Sequence, residues 1–350
     1  MRSRLDPPPF KIVEALTYDD VLLVPQFSDI ESRSEVDLSV DLGNGVLLGR
    51  PIISSPMDTI TEDRMAVTMD TLQMAGIIHR YNTPQQQAEM VRKVKDRHAA
   101  NVGAAIGVTG DFEERAALQV AAGASIICLD VAHGQHSLMR KALKILRVKF
   151  PDIHLMAGNV ATREGFDALA EWGANSVRCN IGGGSICTTR IQTGHGVPGL
   201  HTIMDCAQSQ YTGDVKIIAD GGIRNSGDIV KAIAAGADVV MIGSLLSGTA
   251  ETPGQVIHDG DSVLKAYRGM ASPDAQNDWR GRVSSVEGIA TTVPFVGPAK
   301  RILKELEAGL RSGMSYSGAR TIQELQVKAQ FIRQTHAGQG ESKAHIREKA

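Results

Sequence analysis

The chain has 350 residues, 42% of them hydrophobic and 22% charged, with a formal net charge of −2. That balance supplies a sizeable core and excludes the strongly basic surface of a nucleic-acid binder, while no apolar run reaches the roughly 18 residues of a membrane span. The four cysteines, Cys128, Cys179, Cys187 and Cys206, have no metal-ligand spacing and form no disulfide framework. With no secretion signal in MRSRLDPPPF, a reducing cytoplasm is the expected setting.

Residues 1–50 read as an N-terminal arm. Pro7, Pro8 and Pro9 stiffen it, LTYDDVLLVP follows as a short strand or turn, and SRSEVDLSVDL alternates polar and apolar residues as an exposed strand does. A rhythm begins at residue 51. Eight short apolar runs predict strands near 51–55, 76–80, 102–107, 126–131, 153–157, 176–180, 215–220 and 239–243. Helical or loop-helix segments separate them, among them TEDRMAVTMDTLQMA, PQQQAEMVRKVKDRH and HSLMRKALKILRVKF. Strands buried on both faces read as unbroken apolar runs, and alternation with helices implies a parallel sheet. Eight such units predict a closed (β/α)8 barrel, with a doubly wound open sheet as the alternative. Beyond 245 the rhythm stops. Residues 246–296 are rich in Gly, Pro, Ser and Asp and read as a flap over the barrel mouth. Residues 297–335 hold two helices, RILKELEAGLRSGM and TIQELQVKAQFIRQ, and 336–350 form a polar tail expected to order against a partner. The whole chain is read as one catalytic domain.

Function on a barrel sits at the carboxyl ends of the strands. The residues there are Ser55, Met57 and Asp58; His79 and Arg80; Asp130; Gly158 and Asn159; Gly182 to Cys187; Asp220 to Gly222; and Gly243 and Ser244. The sixth run passes into SVRCNIGGGSICTTR, in which Gly182, Gly183 and Gly184 mark a tight loop and Ser185 offers a hydroxyl and N–H groups to an anion. Cys187, flanked by glycines and hydroxyls, is the candidate nucleophile. ADGGIR and IGS close strands seven and eight, where barrels commonly hold a phosphate. Asp220 suits a pair of ribose hydroxyls, or caps a helix. In YRGM, Tyr267 offers a phenol to a phosphate, and Met270 offers an apolar contact to a flat ring or fills core. Together these features read as a nucleoside-monophosphate site with Cys187 at the base end, where attack on an electron-poor purine carbon is covalent catalysis.

The set SSPMDTITE, GIIHRYNTP, LDVAHG, AGNVAT, GGGSICTTR, ADGGIRNSGDIVKAIAAGADVVMIGSLLSG, YRGM, VEGIATTVPF and SYSGA resembles the IMP dehydrogenase/GMP reductase family in order and spacing. The resemblance implies a purine nucleotide, GMP or IMP, bound by Ser55, Met57, Ser185, Asp220, Gly221, Gly222, Gly243, Ser244, Tyr267, Gly269, Met270 and Gly288. It implies catalysis by Cys187, Thr189 and Glu287. A nicotinamide cofactor would meet Arg80, Asp130, Val131, Ala132 and Asn159, with Ser315, Tyr316, Ser317 and Gly318 lining its adenosine side, while Ser32 and Arg33 would reach the dinucleotide of a neighbouring subunit in a homotetramer. A monovalent cation, K+, would be held by the carbonyls of Gly182, Gly184 and Cys187. Two departures stand out. A tandem regulatory insert of about 120 residues, a separate domain in many dehydrogenases, is missing, since VRKVKDRHAANVGAAIG runs straight through. The usual G-x-G-P-G-S loop has Asn180 for its first Gly and Gly183 for its Pro.

The two sister reactions share a covalent purine adduct. The dehydrogenase oxidises IMP with NAD and hydrolyses the adduct, using an Arg-Tyr pair on a long mobile flap. The reductase expels ammonia from GMP and takes hydride from NADPH. Here the corresponding segment, ASPDAQNDWRGRVSSV, is short and has no tyrosine, so GMP reductase is the expected activity. IMP dehydrogenase is the alternative, favoured by SSPMDTITE and AGQGES, and a non-catalytic purine-nucleotide-binding relative is the third reading.

Overall fold

A computed structural model describes residues 12–342. Pro7 to Pro9 and the tail beyond 342 lie outside the described residues. The arm holds β1 (Val21–Leu23), β2 (Val40–Asp41) and β3 (Leu47–Leu48). Then the alternation begins: β4 (Ile52–Ser54), α1 (Asp63–Thr71), β5 (Ala75–Ile78), α2 (Pro84–Lys95), β6 (Val102–Ile106), α3 (Phe112–Ala121), β7 (Ile126–Asp130), α4 (Ser137–Lys149), β8 (His154–Val160), α5 (Arg163–Glu171) and β9 (Ser176–Cys179). Two helices, α6 (Thr189–Thr193) and α7 (Gly199–Cys206), precede β10 (Lys216–Asp220), followed by α8 (Ser226–Ala234) and β11 (Val239–Ile242). The eight strands β4 to β11 form a closed parallel barrel, sealed where Val240 of β11 pairs with Ile52 of β4. The open-sheet alternative is therefore excluded.

The barrel strands are buried on both faces, between the interior and the helical ring, which is why they carry unbroken apolar runs. Short polar caps start several of the helices that follow the mouth loops. Thr83 forms a capping box with Gln86 and is followed by Pro84, and Asn225 accepts from the Asp228 N–H.

The opposite end is closed by the β2–β3 hairpin, which presses Leu42, Val46 and Leu48 into the core. Hydrogen bonds tie it to the strand starts in both directions: Asn101 Nδ2 donates to Leu47 O of the hairpin at 2.8 Å, and Asn44 Nδ2 of the hairpin turn donates to Pro151 O at 3.3 Å.

Past the barrel come β12 (Ile257–Asp259), β13 (Ser262–Arg268), α9 (Pro273–Arg280), β14 (Ala290–Pro294), α10 (Ala299–Tyr316), α11 (Ile322–Lys328), β15 (Phe331–Arg333) and α12 (His336–Glu341). The expected flap is thus an antiparallel three-stranded sheet, β12–β13–β14, with α9 inserted between its second and third strands.

Three expectations need correction. SRSEVDLSVDL is not a strand throughout: Ser32 and Glu35 cap a 3-10 turn at Arg33–Glu35, and among 36–42 only Val40–Asp41 finds a partner strand, although Val36, Leu38, Val40 and Leu42 are buried in alternation. The last predicted helix breaks at Ala329, whose ψ of 134° is extended, and Phe331–Arg333 pairs instead with Val21–Leu23 of the arm. The start of the tail orders within its own chain as α12, which follows directly on Gln334, whose N–H donates to Asp20 O of the arm at 2.9 Å.

Candidate active site

The carboxyl ends of the strands open into a cavity of ≈ 300 Å³. The loop after β9 supplies one wall. Gly182 has a φ of 79°, the left-handed region that glycine enters at no steric cost. Arg190 braces the outside of this loop, donating to Ile181 O at 3.3 Å and Val197 O at 2.6 Å. Asn180 precedes the loop with a φ of 146°, a conformation that side chains rarely adopt. It is 4% exposed, and its Nδ2 donates to Gly221 O at 3.2 Å. Its amide occupies the space a Cβ at residue 183 would need, so the two departures from the expected loop fit each other. The Asn180 Oδ1, Asp58 Oδ1 and Thr188 Oγ1 are buried without a hydrogen-bond partner, and Asn180 Oδ1 and Asp58 Oδ1 belong to the groups around the mouth.

Cys187 is pinned from the flap side. Thr188 N–H donates to Glu287 O at 2.9 Å, Ile289 N–H donates to Ile186 O at 3.1 Å, and Cys187 bridges Gly288 between them. These backbone contacts bring together three side chains far apart in sequence. Cys187 Sγ lies 3.2 Å from Thr189 Oγ1, and Thr189 Oγ1 donates to Glu287 Oε2 at 2.7 Å. A hydroxyl has one proton to give. Since that proton faces the carboxylate, the thiol is the donor in the first contact, and the row can carry a proton from sulfur to Glu287 and back.

A second cluster lies deeper. Arg178 on β9 is 7% exposed, with Nη1 at 2.6 Å from Asp130 Oδ1 and Nη2 at 2.9 Å from Asp220 Oδ2. Asn159 Nδ2 also donates to Asp220 Oδ2, at 2.8 Å. Burial opposes ionisation of Asp130, but Arg178 and Arg80 outweigh it and hold its carboxyl below the usual range. Burial likewise opposes the Arg178 charge, and the two carboxylates more than restore it. Every hydrogen bond to Asp220 among the described residues falls on Oδ2, which leaves Oδ1 for a ligand hydroxyl.

The opposite wall suits a phosphate. Tyr267 OH lies 3.1 Å from Ser185 Oγ, beside Gly222, Gly243 and Ser244. Burial pushes the Tyr267 phenol up, so it stays protonated and able to donate. Met270 lines the cavity, and its sulfur accepts from Asp58 N–H at 3.3 Å. Arg268 holds the base of the flap to the barrel through Asp58 Oδ2 at 2.6 Å.

The structure brings the expected residues of strands one and two, Ser55, Met57 and Arg80, into the same cavity as Asp130, Val131, Ala132, Asn159, Cys187, Thr189 and Glu287. Gly221 and Gly269 line it too, and Gly288 stands just behind Cys187. It does not bring in Ser32, Arg33 or Ser315 to Gly318. Ser32 caps the exposed 3-10 turn that begins at Arg33, and Tyr316 and Ser317 line a separate shallow groove with Leu23, Pro25 and Val230. Sequence reasoning missed Arg178 and Tyr81. The only signal for Arg178 was one arginine inside an otherwise apolar strand. Tyr81 lines the cavity next to Arg80, whose guanidinium carbon is 5.3 Å from its ring centroid.

Gly182, Gly184 and Cys187 share one turn of the loop and offer neutral carbonyl oxygens, a donor type that suits a hard monovalent cation. The Gly184 carbonyl also accepts from Cys187 N–H at 3.1 Å. Among the described residues, no group of three or more His, Cys, Asp or Glu is placed to hold a metal, and no helix is long and apolar enough to cross a membrane.

Comparison with known proteins matches the same span. The profile described as IMP dehydrogenase / GMP reductase domain covers residues 15–345. An inosine-5'-monophosphate dehydrogenase of Cryptosporidium parvum is 39% identical over 95% of this chain and 96% of its own. A GMP reductase of Leishmania major is 32% identical over 95% and 97%. The crystal structure of a GMP reductase from Trypanosoma brucei in complex with guanosine 5'-monophosphate superposes with a TM-score of 0.91, at 31% identity, covering 95% of this chain and 98% of that one.

Proposed function

The chain belongs to the IMP dehydrogenase / GMP reductase family, and within it we propose the reductase reaction, the conversion of GMP and NADPH to IMP, ammonia and NADP. Members of the family are oxidoreductases acting on purine nucleotides. The observation that carries the reductase reading is the short flap segment, Ala271 to Val286, without Tyr or His, beside which the row Cys187–Thr189–Glu287 offers a path for the proton of a leaving amine.

In this reading the 5'-phosphate rests on Ser185, Gly222, Gly243, Ser244 and Tyr267, and Asp220 Oδ1 takes the ribose hydroxyls. Cys187, having passed its proton through Thr189 to Glu287, forms a bond from sulfur to C2 of guanine. The 2-amino group leaves as that C–N bond breaks, and Glu287 returns the proton through Thr189 to the departing nitrogen. NADPH supplies the hydride that ends on C2. The electron pair of the C–S bond then returns to sulfur and IMP departs. Asp130, ionised between Arg178 and Arg80, and the Asn159 amide give the cavity a polar wall beside Cys187, which suits the carboxamide-bearing ring of a nicotinamide. A K+ ion would be held by the loop carbonyls of Gly182, Gly184 and Cys187 and would order that loop. The reading carries a homotetramer with it, in which Ser32 and Arg33 of one subunit serve the cofactor of the next and Ser315 to Gly318 line its adenosine side. It also carries a cytoplasmic setting, supported by four free cysteines.

IMP dehydrogenase is the second reading, and Tyr81 is the observation in its favour. Arg80 and Tyr81 form an Arg/Tyr pair at the cavity wall, on the barrel and not on the flap. Burial pushes the Tyr81 phenol up, which makes it a poor base for activating water and ranks this reading below the first. The test is product identity. The enzyme is incubated with GMP plus NADPH and with IMP plus NAD at matched concentrations, and products are separated by chromatography. IMP from the first pair at the higher rate supports the reductase. Faster XMP formation from the second overturns it, and no product from either pair supports a non-catalytic nucleotide binder.

A further inference from the structure

Glu287 stands at the end of a stretch that packing does little to hold, since residues 281–285 are all exposed. Glu287 itself is held by backbone bonds to Thr188 and Ala271, and the stretch leading into it is held by one side chain of α9. Gln276 is 4% exposed and bridges the two ends of the segment. Its Nε2 donates to Ala271 O at 3.0 Å and to Ser285 O at 2.8 Å. Its Oε1 accepts from Ser284 N–H at 2.9 Å and from Ser284 Oγ at 3.1 Å. A side-chain amide has two N–H donors and one oxygen with two lone pairs, so its full capacity is in use. Ser284 and Ser285 lead directly into Glu287, whose N–H closes the loop on Ala271 O at 3.2 Å.

The helix that carries Gln276 is fixed to the barrel in turn. Asp278 accepts from Arg268 Nη1 at 2.6 Å. The Trp279 ring tilts against Tyr81, with centroids 5.8 Å apart, and the buried Arg115 guanidinium carbon lies 5.9 Å from the Trp279 ring centroid. The segment is therefore anchored outward by Asp278 and Trp279 and tied inward by Gln276.

We infer that Gln276 is a positioning residue for the deamination step, setting the reach of Glu287 to Thr189 through the backbone of residues 284–287. The inference rests on the reading that Glu287 moves the proton of the leaving amine. Proton transfer needs a heavy-atom distance of about 2.6–3.2 Å, and a misplacement of about 1 Å can cost on the order of a hundredfold in rate. The Thr189–Glu287 distance of 2.7 Å is inside that window, and releasing Ser284 and Ser285 from the bridge frees the backbone on one side of Glu287 to shift it.

Gln276→Met keeps the length and approximate volume of the side chain and removes its hydrogen bonds. The expected result is a loss of about tenfold to a hundredfold in kcat for GMP with NADPH, with KM for GMP within about twofold of the parent. The discriminating measurement is the double variant: in a Glu287→Gln background, Gln276→Met should cost no more than about twofold further, because its effect passes through Glu287. Wild-type kcat in Gln276→Met, or losses that multiply in the double variant, would overturn the inference. Should Gln276→Met not fold, Ser284→Ala removes one hydroxyl from the same bridge, with an expected loss of about twofold to fivefold that Glu287→Gln again absorbs; a loss that multiplies with it, or no loss, overturns the inference. Full activity in Glu287→Gln alone sinks the underlying reading, whereas a slow Glu287→Gln beside a fast Gln276→Met sinks only the role of Gln276.

Discussion

The two ends of the barrel handle polarity in opposite ways. At the closed end, polar side chains meet the backbone of the β2–β3 hairpin, as Asn101 does at Leu47 O, and His154 Nε2 meets Ser176 Oγ at 2.8 Å. Charged groups there are turned to the barrel's own backbone in the same way, as Arg147 is to Gly173 O at 2.8 Å and Ile153 O at 3.0 Å. At the open end, charges are buried in a row, Asp130–Arg178–Asp220, and Asp58 and Asn180 keep oxygens with no partner. Unpaired buried polar atoms cost free energy, so those that Asp58 and Asn180 keep beside the cavity mark where binding, and not folding, sets the residue choice. If that contrast holds, substitutions at the mouth remove rate and leave stability, and those at the closed end do the reverse.

The sharpest trial is Cys187→Ala. Turnover should vanish while GMP binding, measured calorimetrically, stays within a few-fold, since phosphate and ribose contacts lie elsewhere. Sustained turnover in this variant would remove covalent catalysis. Glu287→Gln comes next. Deamination should slow by about a hundredfold or more, the typical worth of general acid–base catalysis, and hydride exchange between IMP and NADP should slow far less. Equal loss in both half-reactions would place Glu287 outside proton transfer.

Arg178→Leu tests where the contrast breaks down. It leaves Asp130 and Asp220 facing each other without their cation, so stability should fall by about 3–5 kcal/mol by denaturant titration, together with activity. A stable but inactive variant would mean the carboxylates take up protons at no structural cost.

The smallest effect belongs to the closed end and concerns pH. Burial pushes the His154 imidazole down to about 4 and the Asp238 carboxyl up to about 6. The folded pKa of His154 is depressed, so its contribution is present above about 6.5 and is lost as pH falls toward 4. The folded pKa of Asp238 is raised, so its contribution is present below about 4 and is lost as pH rises through 6. Each slope approaches about 1.4 kcal/mol per pH unit, and between pH 4 and 6 they oppose each other. His154→Gln should therefore lose stability as pH rises across that window, and Asp238→Asn as pH falls. Chemical denaturation at three pH values checks the signs, and both variants should turn over normally near neutrality. Identical profiles in the two variants would show that neither group titrates as its burial implies.

The barrel was legible because its strands are apolar on both faces, and the mouth because small and reactive residues follow each run. Cys187, Thr189 and Glu287 could be named, and their mutual distances come from the fold. Arg178 was passed over because its partners, Asp130 and Asp220, sit on other strands, and only the closed sheet makes an arginine in the run SVRC tolerable. The segment QVKAQFIRQ keeps a helical rhythm, yet Phe331–Arg333 extends to pair with the arm, a tertiary preference overriding a local one. Gln276 was invisible for a related reason. A glutamine on a short polar helix looks like any solvated residue until the chain ends it ties are seen to meet.

The fit between Asn180 and Gly183 constrains how this loop can change over time. The backbone at residue 180 favours glycine, and holding another residue at such a φ costs on the order of 1–3 kcal/mol, against which stands the amide bond to Gly221. A proline introduced at 183 while Asn180 remains would run into that amide. Glycine restored at 180 while Gly183 remains relieves the backbone and leaves only an unfilled space. The route from this loop to a G-x-G-P-G-S loop therefore has a passable order and a blocked one: position 180 must change first, and a lineage that tries 183 first meets a clash beside its own nucleophile.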